Sequence, residues 1–366
     1  MIVDRERWAL SEQAGRVLAS LDSDLSGHCS VETHSAALEL STSPHATVGA
    51  AVAELGRLRV RLAHDVRAFG LAAAAAGVHP GELVERAHAP PAGRYQLVHR
   101  TMRGIARREP TFALHVHVGV PDGDSAIVLM NRLRAHLPLL LALSASSPLW
   151  QGRPTGLASN RTVLFQAFPR TGIPRCFESY ADWVRTVDTL IASEAIPEPT
   201  FLWWDVRPQP RFGTVEVRIM DAQPRLEATA ALCALIQSLA RLELETGFAS
   251  PTLIDAQEVL AENRFLASRD GVEAEFVDPV GRRRVPLAAL LAEVLVAAAP
   301  HAAALGATTQ LADVVKLVSA PEARRQEGIA ARAGVGAVVC DLVESYDPGG
   351  ETTTGEPASS RFTRDR

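Results

Sequence analysis

Residues 112–120 read FALHVHVGV, and residues 214–221 read TVEVRIMD. Each alternates greasy and polar side chains with the period of two that marks a strand with one buried face. In the first, Leu114, Val116, Val118 and Val120 share one face, while Ala113, His115, His117 and Gly119 share the other. In the second, Val215, Val217 and Ile219 oppose Glu216, Arg218 and Met220. A third run, residues 36–42, sets Leu38 and Leu40 against Ala37, Glu39 and Ser41. A solvated strand shows the same alternation, but its polar face more often carries Thr, Lys, Ser and Gln. Two His, two Glu and one Arg, with small neighbours, suit a concave sheet that holds a cation and phosphate oxygens.

Around these strands the periodicity predicts mostly helix. Residues 46–76 read as one long helix ending at Gly77, and 94–108 as an arginine-rich helix. Residues 124–143 form an apolar helix bent at Pro138. Helices follow at 177–195, 225–247, 251–268 and about 285–305. Two strand-like runs flank Pro208-Gln209-Pro210 within 200–220. Strands and helices are interleaved without a repeat or a clear linker, so the expectation is one α+β domain over 1–346. The polar tail from Asp347 reads as disordered.

Composition narrows the function. The chain has 366 residues, with 47% hydrophobic and 22% charged, which are values of a globular protein with a sizeable core. The net charge of −5 argues against non-specific nucleic-acid binding. Cys29, Cys176, Cys233 and Cys340 form no CxxC pair, so zinc clusters and redox dithiols are not expected. No secretory signal is legible at the start, and no apolar run reads as long enough for a membrane span. The cytoplasm is the expected compartment. Neither a P-loop nor a dinucleotide fingerprint follows a strand. Ser144, Ser146 and Ser147 lack a nucleophile elbow. Residues 144–161, SASSPLWQGRPTGLASNR, offer hydroxyls, glycine N–H groups, Arg153 and Arg161. They read equally as a surface loop or as a segment holding phosphate or a carboxylate.

Five segments in this order carry a family resemblance: ALELSTSP (37–44), HVHVG (115–119), ALSASSPLWQGRPTGLASNR (142–161), WWDVRPQPRFGTVEVRIMDAQ (203–223) and ENRFLASRDG (262–271). Together they resemble glutamate–cysteine ligase type 2, the YbdK-like carboxylate–amine ligases. The resemblance implies a glutamine-synthetase-like catalytic fold: a curved, mostly antiparallel sheet forming a funnel, with helices packed outside. It implies ATP and Mg2+ as cofactors, glutamate and cysteine or another amine as substrates, and a possible homodimer, with neither nucleic acid nor membrane as a partner. Glu39, Glu216 and His117 then resemble the metal-site residues. Arg218 and Arg161 resemble arginines near the phosphoryl-transfer centre or the glutamate carboxylates. The resemblance puts His117, Arg153 and Arg161 at the nucleotide, with His115, Arg153 and Asn263 the weaker matches.

The resemblance breaks at the start. The family's first strand resembles G-V-E-E-E-F, whereas this sequence opens Met1-Ile2-Val3-Asp4, like the end of that strand. Either the sequence begins downstream of it, or part of the metal site is lost. Gly271–Pro279, GVEAEFVDP, imitates the missing motif but follows ENRFLASRD, so it reads as a decoy. A catalytically impaired relative that binds glutamate or nucleotide without turnover is therefore the alternative to an active ligase.

Overall fold

The structure, a computed structural model, describes residues 1–81, 88, 94–108 and 110–349. It is an α+β arrangement built around a three-stranded antiparallel sheet. Strand Thr214–Asp221 lies in the middle, flanked by Val206–Gln209 and Ala113–Gly119. The other strands form two-stranded pairs and not one continuous sheet. Ile2–Asp4 pairs antiparallel with Leu71–Ala73, and Cys29–Val31 with Leu38–Leu40.

The greasy face of the central sheet explains the helices behind it. Val206, Val215 and Val217 are fully buried and join Leu129, Met130 and Leu133 of helix Gly123–Leu133. Helix Leu137–Ser144 and helix Leu226–Thr246 complete that layer. The apolar run at 124–143 is indeed interrupted, by a tight 3-10 turn at Arg134–His136 just before Pro138. Proline is accommodated at the first turn of the helix that follows, where its missing N–H costs nothing.

Three expectations change. First, residues 46–76 are not one helix. The helix ends at Val66, a 3-10 turn follows, and Gly70 adopts φ 71° before the strand Leu71–Ala73. The alanine run favours a helix on propensity alone. Its small side chains instead let strand Leu71–Ala73 pack tightly, with Ala72, Ala74 and Ala76 meeting Val338, Val339 and Leu342 of helix Val335–Tyr346. Secondly, the alternation in 214–221 is reset by a bulge. Val217 faces Val116 but Met220 faces Leu114, so Arg218 and Ile219 together oppose His115. Met220 thereby leaves the polar face and is fully buried in the core, while Asp221 moves onto the polar side opposite Ala113. Thirdly, two helical stretches, Gly123–Ser144 and Leu287–Ala304, are long and apolar enough by length and composition to cross a membrane. The first is mostly buried inside the protein and the second mostly exposed.

The two glutamates of the 271–279 segment lie at the surface. Glu273 is exposed and pairs with Arg324 at 2.8 Å, and Glu275 is exposed on strand Glu275–Asp278. Four helices between Thr308 and Tyr346 were not read from the sequence. The tail beyond residue 349 lies outside the described residues.

Candidate active site

The register of the central sheet brings three side chains into one rung. Arg207 lies opposite Glu216, and Glu216 opposite His117. Opposed residues of antiparallel strands share a face at contact distance. Arg207 Nε donates to Glu216 Oε2 at 2.7 Å, and Arg218 donates to Oε1. His115 Nδ1 lies 3.6 Å and His117 Nε2 3.8 Å from the same Oε1. Burial alone would raise the Glu216 carboxyl. Arg218, His115, Arg207 and His117 overcome it and hold the group well below the usual carboxylate range. The histidines go the other way. Burial pushes His115 well down, with Arg218 adding to it, and His117 is lowered mainly by burial as well. Both imidazoles are therefore neutral at neutral pH. His117 Nδ1 meets Thr214 Oγ1 at 2.9 Å. Arg207 is anchored from behind, donating to the Thr200 and Leu202 carbonyls at 2.8 Å each. Arg218 Nε is buried with no hydrogen-bond partner among the described residues, an N–H left over for an anionic ligand.

The second half of the site is carboxylate. Glu39 lies opposite Ser30, whose hydroxyl donates to it at 3.2 Å. Glu39 stays open to solvent, yet the protein around it pushes its carboxyl up, and the charge of Glu32 pushes further. The Ser30 hydrogen bond and Arg218 oppose that rise, and Glu216 adds a smaller push upward. Glu32, Glu39, Glu216 and Arg218 thus share one electrostatic field. Tyr95, on helix Arg94–Met102, joins them: burial and the Glu32 and Glu39 charges raise its hydroxyl, which hydrogen-bonds Glu32. Glu32 was missed by sequence reading. It falls two residues after Ser30, on the face that meets Glu39, but strand Cys29–Val31 is too short for the period to show.

Other expected site residues serve as supports. Arg161 is buried and donates to the Ile219 and Arg218 carbonyls at 2.9 and 3.1 Å, fastening the bulge. Its guanidinium is largely used by the fold, with only Nε unpartnered. Asn263 is buried and bonds both N–H and C=O of Val277, pinning strand Glu275–Asp278. Arg153 is exposed on a short hairpin with Trp150. The serines of 144–161 turn inward. Fully buried Asp221 accepts from Ser147 and Ser159 hydroxyls at 2.7 and 2.9 Å and from the Ser146 N–H at 2.9 Å. That segment is a loop organised around a carboxylate, and the phosphate reading of its serines fails for these groups. The ENRF and WWDVRP segments meet in a buried pair, Arg264 Nε to Asp205 Oδ2 at 2.6 Å, while the Asp205 carbonyl accepts from the Arg218 N–H at 2.7 Å.

Gly77 shows how tightly this support is built. A Cβ there would lie 2.6 Å from both the Asp221 carboxyl and the Ser147 hydroxyl. Gly77→Ala is expected to cost about 1–3 kcal/mol of stability by displacing Asp221, read as a lower denaturant midpoint at unchanged slope.

Does the face fit a magnesium ion? Among the described residues no group of three or more His, Cys, Asp or Glu side chains is placed to hold a metal ion unaided. Magnesium does not demand such a cage, since it commonly takes one or two carboxylates, with phosphate oxygens and water filling the rest. Glu39 and Glu32 fit that demand, because the Glu32 charge raises the cost of ionising Glu39 and a cation between them relieves it. Glu216 fits less well, since both oxygens already face arginines. The neutral imidazole of His117 is a soft match for a hard cation and a better donor to a phosphate oxygen.

Comparison with known proteins places the chain in a family. The profile of "Glutamate-cysteine ligase family 2(GCS2)" matches residues 1–339. The chain is 38% identical over 359 residues to "Putative glutamate--cysteine ligase 2-1" of Rubrobacter xylanophilus, covering 98% of this chain and 94% of that protein. A similarly named protein of Ruegeria pomeroyi is 35% identical over 354 residues, covering 94% and 92%. One from Roseiflexus castenholzii is 40% identical over 266 residues, covering 72% and 70%.

Proposed function

The chain belongs to glutamate-cysteine ligase family 2, and from that footing we propose that it is an ATP- and Mg2+-dependent carboxylate–amine ligase that joins glutamate to cysteine. In this reading the γ-carboxylate of glutamate attacks the terminal phosphorus of ATP, giving an acyl phosphate and ADP. The amine of cysteine then attacks the acyl carbon, and inorganic phosphate leaves. The observation that carries the reading is the meeting of the Glu39–Glu32 carboxylates, at the strand pair Cys29–Val31 and Leu38–Leu40, with the Arg207–Glu216–Arg218 array of the central sheet. Carboxylates suit a phosphate-bound cation, and arginines suit the phosphoryl oxygens and the substrate carboxylate.

Each residue has a definite task. Glu39 and Glu32 would hold magnesium, which supplies charge neutralisation at the phosphates. Arg218 presents its spare Nε–H to an anionic oxygen. Glu216 fixes the position of Arg218 and of Arg207, so that neither has to reorganise as charge develops. Neutral His117 donates or accepts one hydrogen bond at the same face without adding charge. The reading includes a glutamine-synthetase-like layout, for which the polar sheet face backed by helices Gly123–Leu133 and Leu226–Thr246 speaks.

The test is ADP release. Release should need Mg2+, glutamate and cysteine together, and release without either amino acid would contradict the reading. Acid should inhibit early. Glu39 must be ionised to hold the cation, and its carboxyl is raised above the ordinary 4.5. The kcat/KM for MgATP should therefore fall on an acid limb centred above that value, and the limb should move when Glu32 is replaced by Gln. A profile flat down to the ordinary glutamate range would remove Glu39 from the role.

A further inference from the structure

The ligase mechanism uses only one side of the Thr200–Leu202 segment. On its other side lies a pocket of about 880 Å³, between helix Arg94–Met102, the 166–170 segment and the end of helix Tyr180–Ala192. That volume is of small-molecule size. Leu97, Ile105, Phe168, Ile191 and Phe201 give it apolar walls, and two charged residues, Arg170 and Glu194, also line it.

Both charged residues break local rules. Arg170 has φ 61° and Glu194 φ 58°, a left-handed conformation that side-chain-bearing residues rarely adopt. Glu194 stands just past the end of its helix, its N–H donating to the Ile191 carbonyl at 2.9 Å, where glycine is the usual choice. Its carboxylate also sits at the negative end of the helix dipole. Arg170 is half-buried. Its Nε donates to the Phe201 carbonyl at 3.1 Å, and its guanidinium lies 5.3 Å from the Trp203 ring centre. Among the described residues neither Arg170 nor Glu194 has an ion-pair partner, whereas Arg94, Arg207, Arg218 and Arg264 nearby all do. Two opposite charges without an ion pair thus line one apolar pocket, although Arg170 keeps one structural hydrogen bond.

We propose that this pocket binds an α-amino acid with a bulky apolar side chain, its carboxylate at Arg170, its ammonium at Glu194 and its side chain among Phe168, Ile191 and Phe201. The proposal stands apart from the ligase reading. Such an amino acid serves as an effector, since the pocket lies away from the residues of the ligase reading. That use has a physical route, because Phe201 forms the pocket wall while the carbonyls on either side of it hold Arg207 against Glu216.

Titration calorimetry of the full chain separates the two charges. The probes are L-phenylalanine, 3-phenylpropionate, which lacks the ammonium, and 2-phenylethylamine, which lacks the carboxylate. L-Phenylalanine should bind one to one. Arg170→Gln should weaken L-phenylalanine and phenylpropionate by about tenfold or more and leave phenylethylamine unchanged. Glu194→Gln, at an exposed position that the fold tolerates, should weaken L-phenylalanine and phenylethylamine and leave phenylpropionate unchanged. Glu194→Gly should raise the melting temperature while weakening the same two ligands, since it relieves the strain and removes the charge. Absence of saturable L-phenylalanine binding up to about 10 mM, beyond the range of a two-anchor ligand, would overturn the proposal. So would binding indifferent to both substitutions. In the ADP assay, L-phenylalanine should change the rate of ADP release without being consumed, and its consumption in place of cysteine would put it in the ligase site and overturn the effector role.

Discussion

Replacing Glu216 with alanine is expected to lower the free energy of unfolding by about 3–5 kcal/mol, the cost of leaving buried charges without their partner. Glu216 is 3% exposed and neutralises two arginines, of which Arg207 is itself 9% exposed and Arg218 13%. Alanine leaves Arg207 and Arg218 facing each other across an empty rung. Glu216→Ala should therefore unfold at a lower temperature, by about 4–7 °C for a chain of this size. A change under about 1 kcal/mol in denaturant unfolding would mean that water reaches and solvates both guanidinium groups, as at exposed pairs. The same geometry fixes the sign of the acid response. Glu216 is held below its ordinary value of 4.5, so its stabilisation is present above that value. It is lost as pH falls through the lower folded-state value.

Glu39→Gln is expected to do the reverse, removing turnover while sparing the fold. A carboxylate that carries a catalytic cation is worth on the order of 10²–10³ in rate, comparable with removing one preorganised electrostatic group. Stability should hold or rise slightly at neutral pH. The raised carboxyl means that the folded state disfavours the ionised form, so a neutral isostere relieves a penalty. The pair Glu32→Gln and Glu39→Gln should be non-additive in kcat, because either loss already disables a shared cation. Full activity in Glu39→Gln would assign the cation elsewhere. Loss of activity together with a collapse in melting temperature would make Glu39 structural. Glu39 and Glu216 thus differ in kind although they look alike in the sequence: one is open and electrostatically stressed, the other is closed and compensated.

Period-two alternation made much of the site legible. It placed His115, His117, Glu216 and Arg218 on one face, and the structure joins these four around the Glu216 carboxylate. Alternation failed where the backbone departs from it. The bulge after Val217 carries Met220 into the core and Asp221 to the polar side, and no residue type announces it. Glu32 was hidden because three-residue strand Cys29–Val31 is too short to show a period. Arg161 and Asn263 were readable as polar residues in specific segments, but not as side chains bonded to backbone of distant strands. That depends on tertiary contacts 58 and 14 residues away in sequence. The alanines of 71–76 show the same limit from the other side. Their helix propensity is high, and the room available between strand and helix decides instead. The pocket under Phe201 left no trace in the sequence, because Arg170 and Glu194 are remarkable only for backbone conformation.

Carboxylate activation is the central chemical claim, and hydroxylamine traps it without depending on which amine the protein prefers. The full chain would be incubated with glutamate, MgATP and hydroxylamine, and the γ-glutamyl hydroxamate measured against ADP. The expected result is hydroxamate formed in proportion to ADP, abolished without magnesium and reduced on the order of 10²-fold by Glu39→Gln. Folded protein that yields neither product, or that releases ADP with no hydroxamate, would contradict an acyl-phosphate ligase built on this site.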